Sequence, residues 1–189
     1  MPTRREFVAT ALCLGLLPQR GLAAPAMSTG GAHRFQFIGI DGAPMPLSAY
    51  AGRLLLVVNT ASRCAYTPQY RDLEALWDLY GARGLTVIGT PSNDFGGQEP
   101  KSEQEIQGFC SGEYGVSFPL TEKIHVRGPL AHPFYRWAET EAGFGNAPGW
   151  NFHKYLIGAD GRLIAAFPSA MNPQDPRLVA AIKAHLPAG

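Results

Sequence analysis

The stretch Leu54-Leu55-Leu56-Val57-Val58-Asn59-Thr60-Ala61-Ser62-Arg63-Cys64-Ala65-Tyr66-Thr67-Pro68-Gln69-Tyr70 decides how this chain folds. Its first part is a continuous apolar, β-branched run, which reads as a buried strand. Thr67-Pro68 reads as a helix start, with Thr as N-cap and Pro at the first helical position. Residues 68–82 then place Tyr70, Leu73, Leu76, Trp77 and Tyr80 at helical spacing, and Gly81 and Gly84 end the helix. Leu85-Thr86-Val87-Ile88-Gly89 is a second buried strand, so the unit is β-α-β and its two strands are expected to be parallel. Cys64 falls between the first strand and the helix N-terminus, where backbone N–H groups and the helix dipole favour an anion. The thiolate is the reactive form of cysteine, so one reading of Cys64 is a nucleophile. The other is a small hydrophobe packed in the core.

Outward from this unit the pattern continues. Arg34 to Ile38 alternates and Asp41-Gly42 marks a turn, so a β-hairpin opens the domain. Ser92 to Pro100 reads as a loop. Ser102-Glu103-Gln104-Glu105 is a capping box that opens a short helix carrying Ile106, Phe109 and Cys110, with Gly112 as its stop. Residues 129–141 form another helix. Phe152 to Ile157 and Arg162 to Phe167 form a hairpin around Ala159-Asp160-Gly161, and helix 174–185 closes the chain. The order is that of an α/β, thioredoxin-like fold: a central mixed sheet flanked by helices, with an N-terminal β-hairpin.

The chain has 189 residues, 46% hydrophobic and 16% charged, enough for one domain with a real core. The net charge is +1, and no basic run follows residue 30, so nucleic acid has no electrostatic footprint here. The N-terminus reads as a targeting segment. Thr3-Arg4-Arg5-Glu6-Phe7-Val8 is a twin-arginine pattern, followed by an apolar run from Phe7 to Leu17 and an Ala24-Pro25-Ala26 cleavage signal. Residues 1–26 are therefore expected to be a cleaved signal peptide and residues 27–189 a single exported, periplasmic domain. Loss of Arg4, Arg5, Arg20 and Glu6 would change the net charge from +1 to −1. Cys13 leaves with the signal, so Cys64 and Cys110 remain in an oxidising compartment where a disulfide between them is plausible.

Two further segments have side chains able to serve a thiolate. Asp94-Phe95-Gly96-Gly97-Gln98-Glu99-Pro100 follows the C-terminal end of a parallel strand, and Gly149-Trp150-Asn151-Phe152 precedes a further strand. Sites in open α/β sheets assemble at such strand ends. Gln98 and Asn151 carry amide donors, and the Trp150 indole N–H can only donate. Hydrogen bonds to a charged group are worth about 1.5–3 kcal/mol each, against about 0.3–1 kcal/mol for a helix terminus, so these donors would dominate.

The segments Asn59 to Tyr70, Phe95 to Pro100, Glu105 to Cys110, Phe118-Pro119 and Trp150-Asn151-Phe152 together resemble the glutathione peroxidase family, over roughly residues 34–186. The resemblance implies a catalytic tetrad of Cys64, Gln98, Trp150 and Asn151. It further implies a thiol peroxidase that reduces hydrogen peroxide and organic hydroperoxides through a Cys64 sulfenic acid. Cys110 resembles the resolving cysteine of the two-cysteine, thioredoxin-dependent members. The implied partners are a hydroperoxide substrate and a thioredoxin-like reductant or glutathione, with no cofactor and no metal. The short stretch from His132-Pro133 to Trp150 leaves no room for the insertion used in assembly by the family's tetramers, so a monomer is expected. Three positions depart from the family pattern. Ala65 stands where Gly is usual, Ser92-Asn93-Asp94 replaces an Asn-Gln pair, and Lys101 replaces a Gly. An inward-facing Asp94 would oppose a thiolate.

Other classes fit less well. A periplasmic thiol-disulfide exchange protein would use Cys-x-x-Cys, and Cys64-Ala65-Tyr66-Thr67 lacks the second thiol. A peroxiredoxin would have Thr at the position of Ala61, and Cys110, His125, His132 and His153 show no metal-ligand spacing. A redox sensor, or a fixed structural Cys64–Cys110 disulfide, remains as the alternative.

Overall fold

A computed structural model describes Met1 and residues 31–143 and 145–187. The expected signal peptide therefore lies, Met1 apart, outside the described residues. No helix among those residues is long and apolar enough to cross a membrane. Strands β1 (Gln36–Ile38) and β2 (Pro44–Pro46) pair antiparallel as the opening hairpin. The main sheet holds β3 (Leu54–Thr60), β4 (Leu85–Pro91), β5 (Lys154–Ile157) and β6 (Leu163–Phe167) in the order β4-β3-β5-β6. Strands β3 and β4 are parallel, as expected, whereas β5 runs antiparallel to both β3 and β6. The sheet is mixed and thioredoxin-like.

Helices α1 (Gln69–Tyr80), α2 (Glu103–Tyr114), α3 (Pro133–Ala142) and α4 (Pro176–His185) cover it. Alternation along β3 explains why both faces are needed. Leu54, Leu56 and Val58 point to one face, where they meet Leu73 and Leu76 of α1, Ile106 of α2 and Leu178 of α4. Leu55 and Val57 point to the other, where Phe134, Tyr135 and Ala138 of α3 pack. A strand buried on both faces has no polar side to show, which is why its sequence reads as an unbroken apolar run.

Two local expectations need correction. Gly112 does not stop α2. The capping box is present, with Ser102 Oγ accepting from Glu105 N and Glu105 Oε2 accepting from Ser102 N, but the helix runs on to Tyr114 and ends at Gly115 with φ 68°. An interior glycine costs about 1 kcal/mol, less than the cap and the packing of Ile106 return, whereas the left-handed C-terminal position suits glycine. Thr67 is not the N-cap of α1. Pro68 occupies that position without a side-chain bond, and Thr67 Oγ1 instead donates to Ala61 O (2.9 Å) and accepts from Cys64 N (3.0 Å).

After α2 the chain returns to the sheet. Gly89 N donates to Pro119 O and Thr121 N to Gly89 O, while Ile40 N donates to Leu120 O. Residues 119–121 thus bridge β4 to the opening hairpin.

Candidate active site

Everything that could serve the Cys64 thiol comes from one end of the sheet. Cys64 follows β3, on a loop that the two Thr67 hydrogen bonds tighten. Its Sγ is 3.4 Å from Tyr66 N, which donates to it. A backbone donor aimed at sulfur favours the anion. Cys64 is 8% exposed, so it is not a free surface thiol. Ala65 has no positive φ, since Phe152 is the only non-glycine residue with one among those described. Alanine in place of the usual glycine is therefore without backbone cost.

Gln98 follows β4. Gly96 and Gly97, with φ of 64° and 65°, turn the chain there, a conformation that glycine adopts without strain. Arg63 N donates to Gln98 O at 3.1 Å and joins this loop to the Cys64 loop. Asn151 precedes β5, is fully buried, and donates from Nδ2 to Gln98 Oε1 at 2.9 Å. That bond occupies the carbonyl end of Gln98 and leaves its amide end free to donate. A Cβ built on Gly96 would lie 3.9 Å from both Gln98 Nε2 and Trp150 Cη2, so the amide and the indole converge beside this glycine. Phe95 packs under the Trp150 ring at 5.7 Å, and Trp150 remains 40% exposed. Asn59, at the end of β3, holds the third loop. Its carbonyl accepts from Phe152 N (2.6 Å), and its Nδ2 donates to Trp150 O (3.1 Å).

The Cys64 loop, through Ala65 and Tyr66, the segment leading to Trp150 and His153, and residues 168–170 wall a cleft of about 710 Å³ beside this centre; Gln98 lies outside its lining. Among the described residues, no carboxylate, lysine or arginine lines it. Burial pushes the His153 imidazole down to about 4, helped by nearby Lys154, so the ring is neutral at pH 7. The cleft is uncharged and suits an apolar guest.

Asp94 faces away from this centre. Its Oδ1 pairs with His125 Nδ1 (2.6 Å), and its Oδ2 accepts from Val126 N (2.7 Å) and Arg127 N (3.2 Å). Burial alone would raise its carboxyl, but these partners outweigh it and hold the group below the usual carboxylate range. Its negative charge anchors the 125–127 loop. Arg127 in turn stacks over Phe95 at 5.3 Å.

Cys110 lies on the inner face of α2, 1% exposed, and shares a core cluster with Cys64. Both are free thiols. Burial pushes the Cys110 thiol up to about 11. Its polar neighbours are Tyr70, fully buried on α1, and Glu99, whose Oε1 accepts from Ser62 Oγ at 2.7 Å. Burial raises Glu99 above the usual carboxylate range against the pull of Ser62. Among the described residues no group of His, Cys, Asp and Glu is arranged to hold a metal.

Sequence reasoning passed over two residues that hold these loops, Ser169 and Lys154. Ser169 Oγ donates to Trp150 O at 3.1 Å. Lys154 is a charged residue in an otherwise apolar strand, and that mismatch was the signal that marks it.

The glutathione peroxidase family model matches residues 32–139. The chain belongs to the glutathione peroxidase family. Relatives of high similarity include the hydroperoxy fatty acid reductase gpx1 of Synechocystis, 39% identical over 158 residues, covering 79% of this chain and 94% of that protein. The thioredoxin/glutathione peroxidase BtuE of Escherichia coli is 40% identical and covers 76% of this chain and 91% of its own. Among solved structures, T. cruzi GPX1 aligns with a TM-score of 0.65 at 31% identity, over 84% of this chain and 95% of that one. A thiol:disulfide interchange protein from Chlorobium tepidum, at 16% identity and a TM-score of 0.61 over 80% of this chain and 92% of that one, shares the fold. Family and fold agree with a thiol peroxidase, an oxidoreductase acting on peroxides. A thiol-disulfide exchange protein is not favoured.

Proposed function

We propose that Cys64 is the peroxide-attacking thiol and that Gln98, Trp150 and Asn151 serve it. The observation that carries this is the joining of three sequence-distant loops at one end of the sheet: Arg63 N donates to Gln98 O, Asn151 Nδ2 to Gln98 Oε1, and Asn59 Nδ2 to Trp150 O. The Cys64 thiolate attacks the terminal peroxide oxygen, the O–O bond breaks, and water or an alcohol leaves after taking up a proton. Cys64 becomes a sulfenic acid. Donors from Gln98 and Trp150 stabilise the oxygen that leaves. The uncharged cleft accepts organic hydroperoxides with apolar tails, including fatty acid hydroperoxides, as well as hydrogen peroxide. The Cys110 thiol then attacks the Cys64 sulfur, forming an S–S bond and releasing water. A thioredoxin-like dithiol, or glutathione, reduces that disulfide. The protein works as a monomer in the periplasm after twin-arginine export, so its reductant belongs to that compartment.

Peroxide consumption with a dithiol reductant tests the reading. Cys64→Ser is expected to abolish turnover. Cys110→Ser is expected to leave a sulfenic acid that dimedone traps. Undiminished turnover in Cys64→Ser would refute the assignment. Appearance of the wild-type disulfide mass shift in Cys110→Ser would exclude Cys110 as the resolving thiol.

A further inference from the structure

Lys154 opens β5 with no solvent exposure, in a strand whose other members are Tyr155, Leu156 and Ile157. A lysine is almost never buried so fully unless its nitrogen is paired. Here Nζ donates to Phe152 O and to Met171 O, each at 2.7 Å. The two carbonyls belong to different loops. Phe152 ends the Trp150-Asn151-Phe152 turn with φ 66°, a conformation that a bulky residue keeps only when its surroundings impose it. Met171 follows Pro168, Ser169 and Ala170, which line the opposite wall of the cleft. The same walls are joined again where Ser169 Oγ donates to Trp150 O. Gln69 Nε2, at the start of α1, donates to Ser169 O at 2.9 Å and fixes that wall to the Cys64 side.

We propose that Lys154 is a positioning residue for peroxide reduction: by joining the Phe152 and Met171 carbonyls, it holds the turn that seats Trp150 at the cleft wall and Asn151 against Gln98. Its Nζ bonds these two carbonyls rather than the Cys64 sulfur, so it acts through the turn. Burial pushes the ammonium down to about 7. Near neutrality a large share is therefore the amine, whose two N–H groups match the two carbonyls and need no counter-ion. The inference rests on Cys64 being the thiol that attacks peroxide.

The test uses Lys154→Met, which keeps the volume and removes both donors, and Lys154→Gln, which keeps a shorter donor. Each is mixed with hydrogen peroxide well below its melting temperature, and the rate of Cys64 oxidation is followed by stopped flow. Displacing the turn by about 1 Å is expected to slow oxidation of Lys154→Met by about 10²-fold. Lys154→Gln is expected to recover part of the rate, and acrylamide quenching of Trp150 to increase in Lys154→Met. Wild-type oxidation rates in folded Lys154→Met, even with a lowered melting temperature, would overturn the proposal by showing a purely structural lysine. If Lys154→Met does not fold, Ser169→Ala carries the test from the other wall, with a slowing of about tenfold expected and an unchanged rate overturning it. Absence of peroxide-dependent oxidation in the wild type would instead refute the assignment of Cys64.

Discussion

Loosening α2 is expected to expose Cys110 without touching Cys64. In the reduced protein Cys110 is 1% exposed and its thiol is pushed from the ordinary 9 up to about 11. Two pH units leave about 100-fold less thiolate, so alkylation in the closed state is slowed by at least that factor. Alkylation through an open state is limited by the cost of freeing α2. The helix buries Ile106 and Cys110 fully, and losing the Ile106 burial with the cap costs roughly 3–4 kcal/mol, again a factor of at least 10². Ser102→Ala removes the cap, worth about 1 kcal/mol, and is expected to raise the open population about fivefold. The assay is iodoacetamide labelling of reduced protein at pH 8, with each cysteine read separately by mass spectrometry. Wild type should label at Cys64 first and at Cys110 about 100-fold more slowly. Ser102→Ala should speed only the second, about fivefold. Equal labelling of both cysteines in wild type, or no effect of Ser102→Ala, would refute the picture of a resolving thiol stored behind a lightly held helix.

Two further outcomes follow from buried charge. Lys154 has a depressed value of about 7 in the folded chain against 10.5 unfolded, so the unfolded chain binds more protons between those values and stability rises with pH across that window. Urea unfolding from pH 7 to 8.5, where Cys110 stays protonated, should show a gain of about 1.5 kcal/mol in wild type that is missing from Lys154→Met; identical slopes would contradict it. Asp94→Ala removes the group that holds the 125–127 loop. At neutral pH it should cost about 1–2 kcal/mol after discounting for partial exposure, measured by the urea midpoint. Because the Asp94 carboxyl is depressed, the loss should vanish in acid, once the wild-type carboxyl is itself protonated. A cost that persists unchanged in acid would point to packing instead.

The β3–loop–α1 unit was legible because its apolar run and its helical periodicity both arise from backbone physics within a short window. The partner loops were legible only as a motif, since nothing local to Gln98 or Trp150 says which strand end it will share. Thr67 shows where local reading fails. Its hydroxyl had two available partners, the helix N-terminus and the Cys64 loop, and tertiary closure of the loop decided between them. Asp94 shows the same limit for charge. Its direction depends on His125, Val126 and Arg127, more than thirty residues away. Lys154 was missed because a lysine in a strand ordinarily points to water, and only the paired carbonyls of Phe152 and Met171 make its burial tolerable.

The stitching of residues 119–121 to β4 and to the hairpin has a consequence for redox chemistry. On the other side of α2, Glu99 is buried, bonded to Ser62 through its side chain and to Asn93 Oδ1 through its backbone N–H. The helix is thus a slack line between two fixed posts. In the proposed cycle α2 unravels, and a flexible tether of about twenty residues then holds Cys110 near Cys64 at an effective concentration on the order of millimolar. An external thiol must approach that level to intercept the Cys64 sulfenic acid first. In that proposed cycle, the anchoring of the chain therefore lets disulfide formation within the molecule outrun mixed-disulfide formation with its surroundings.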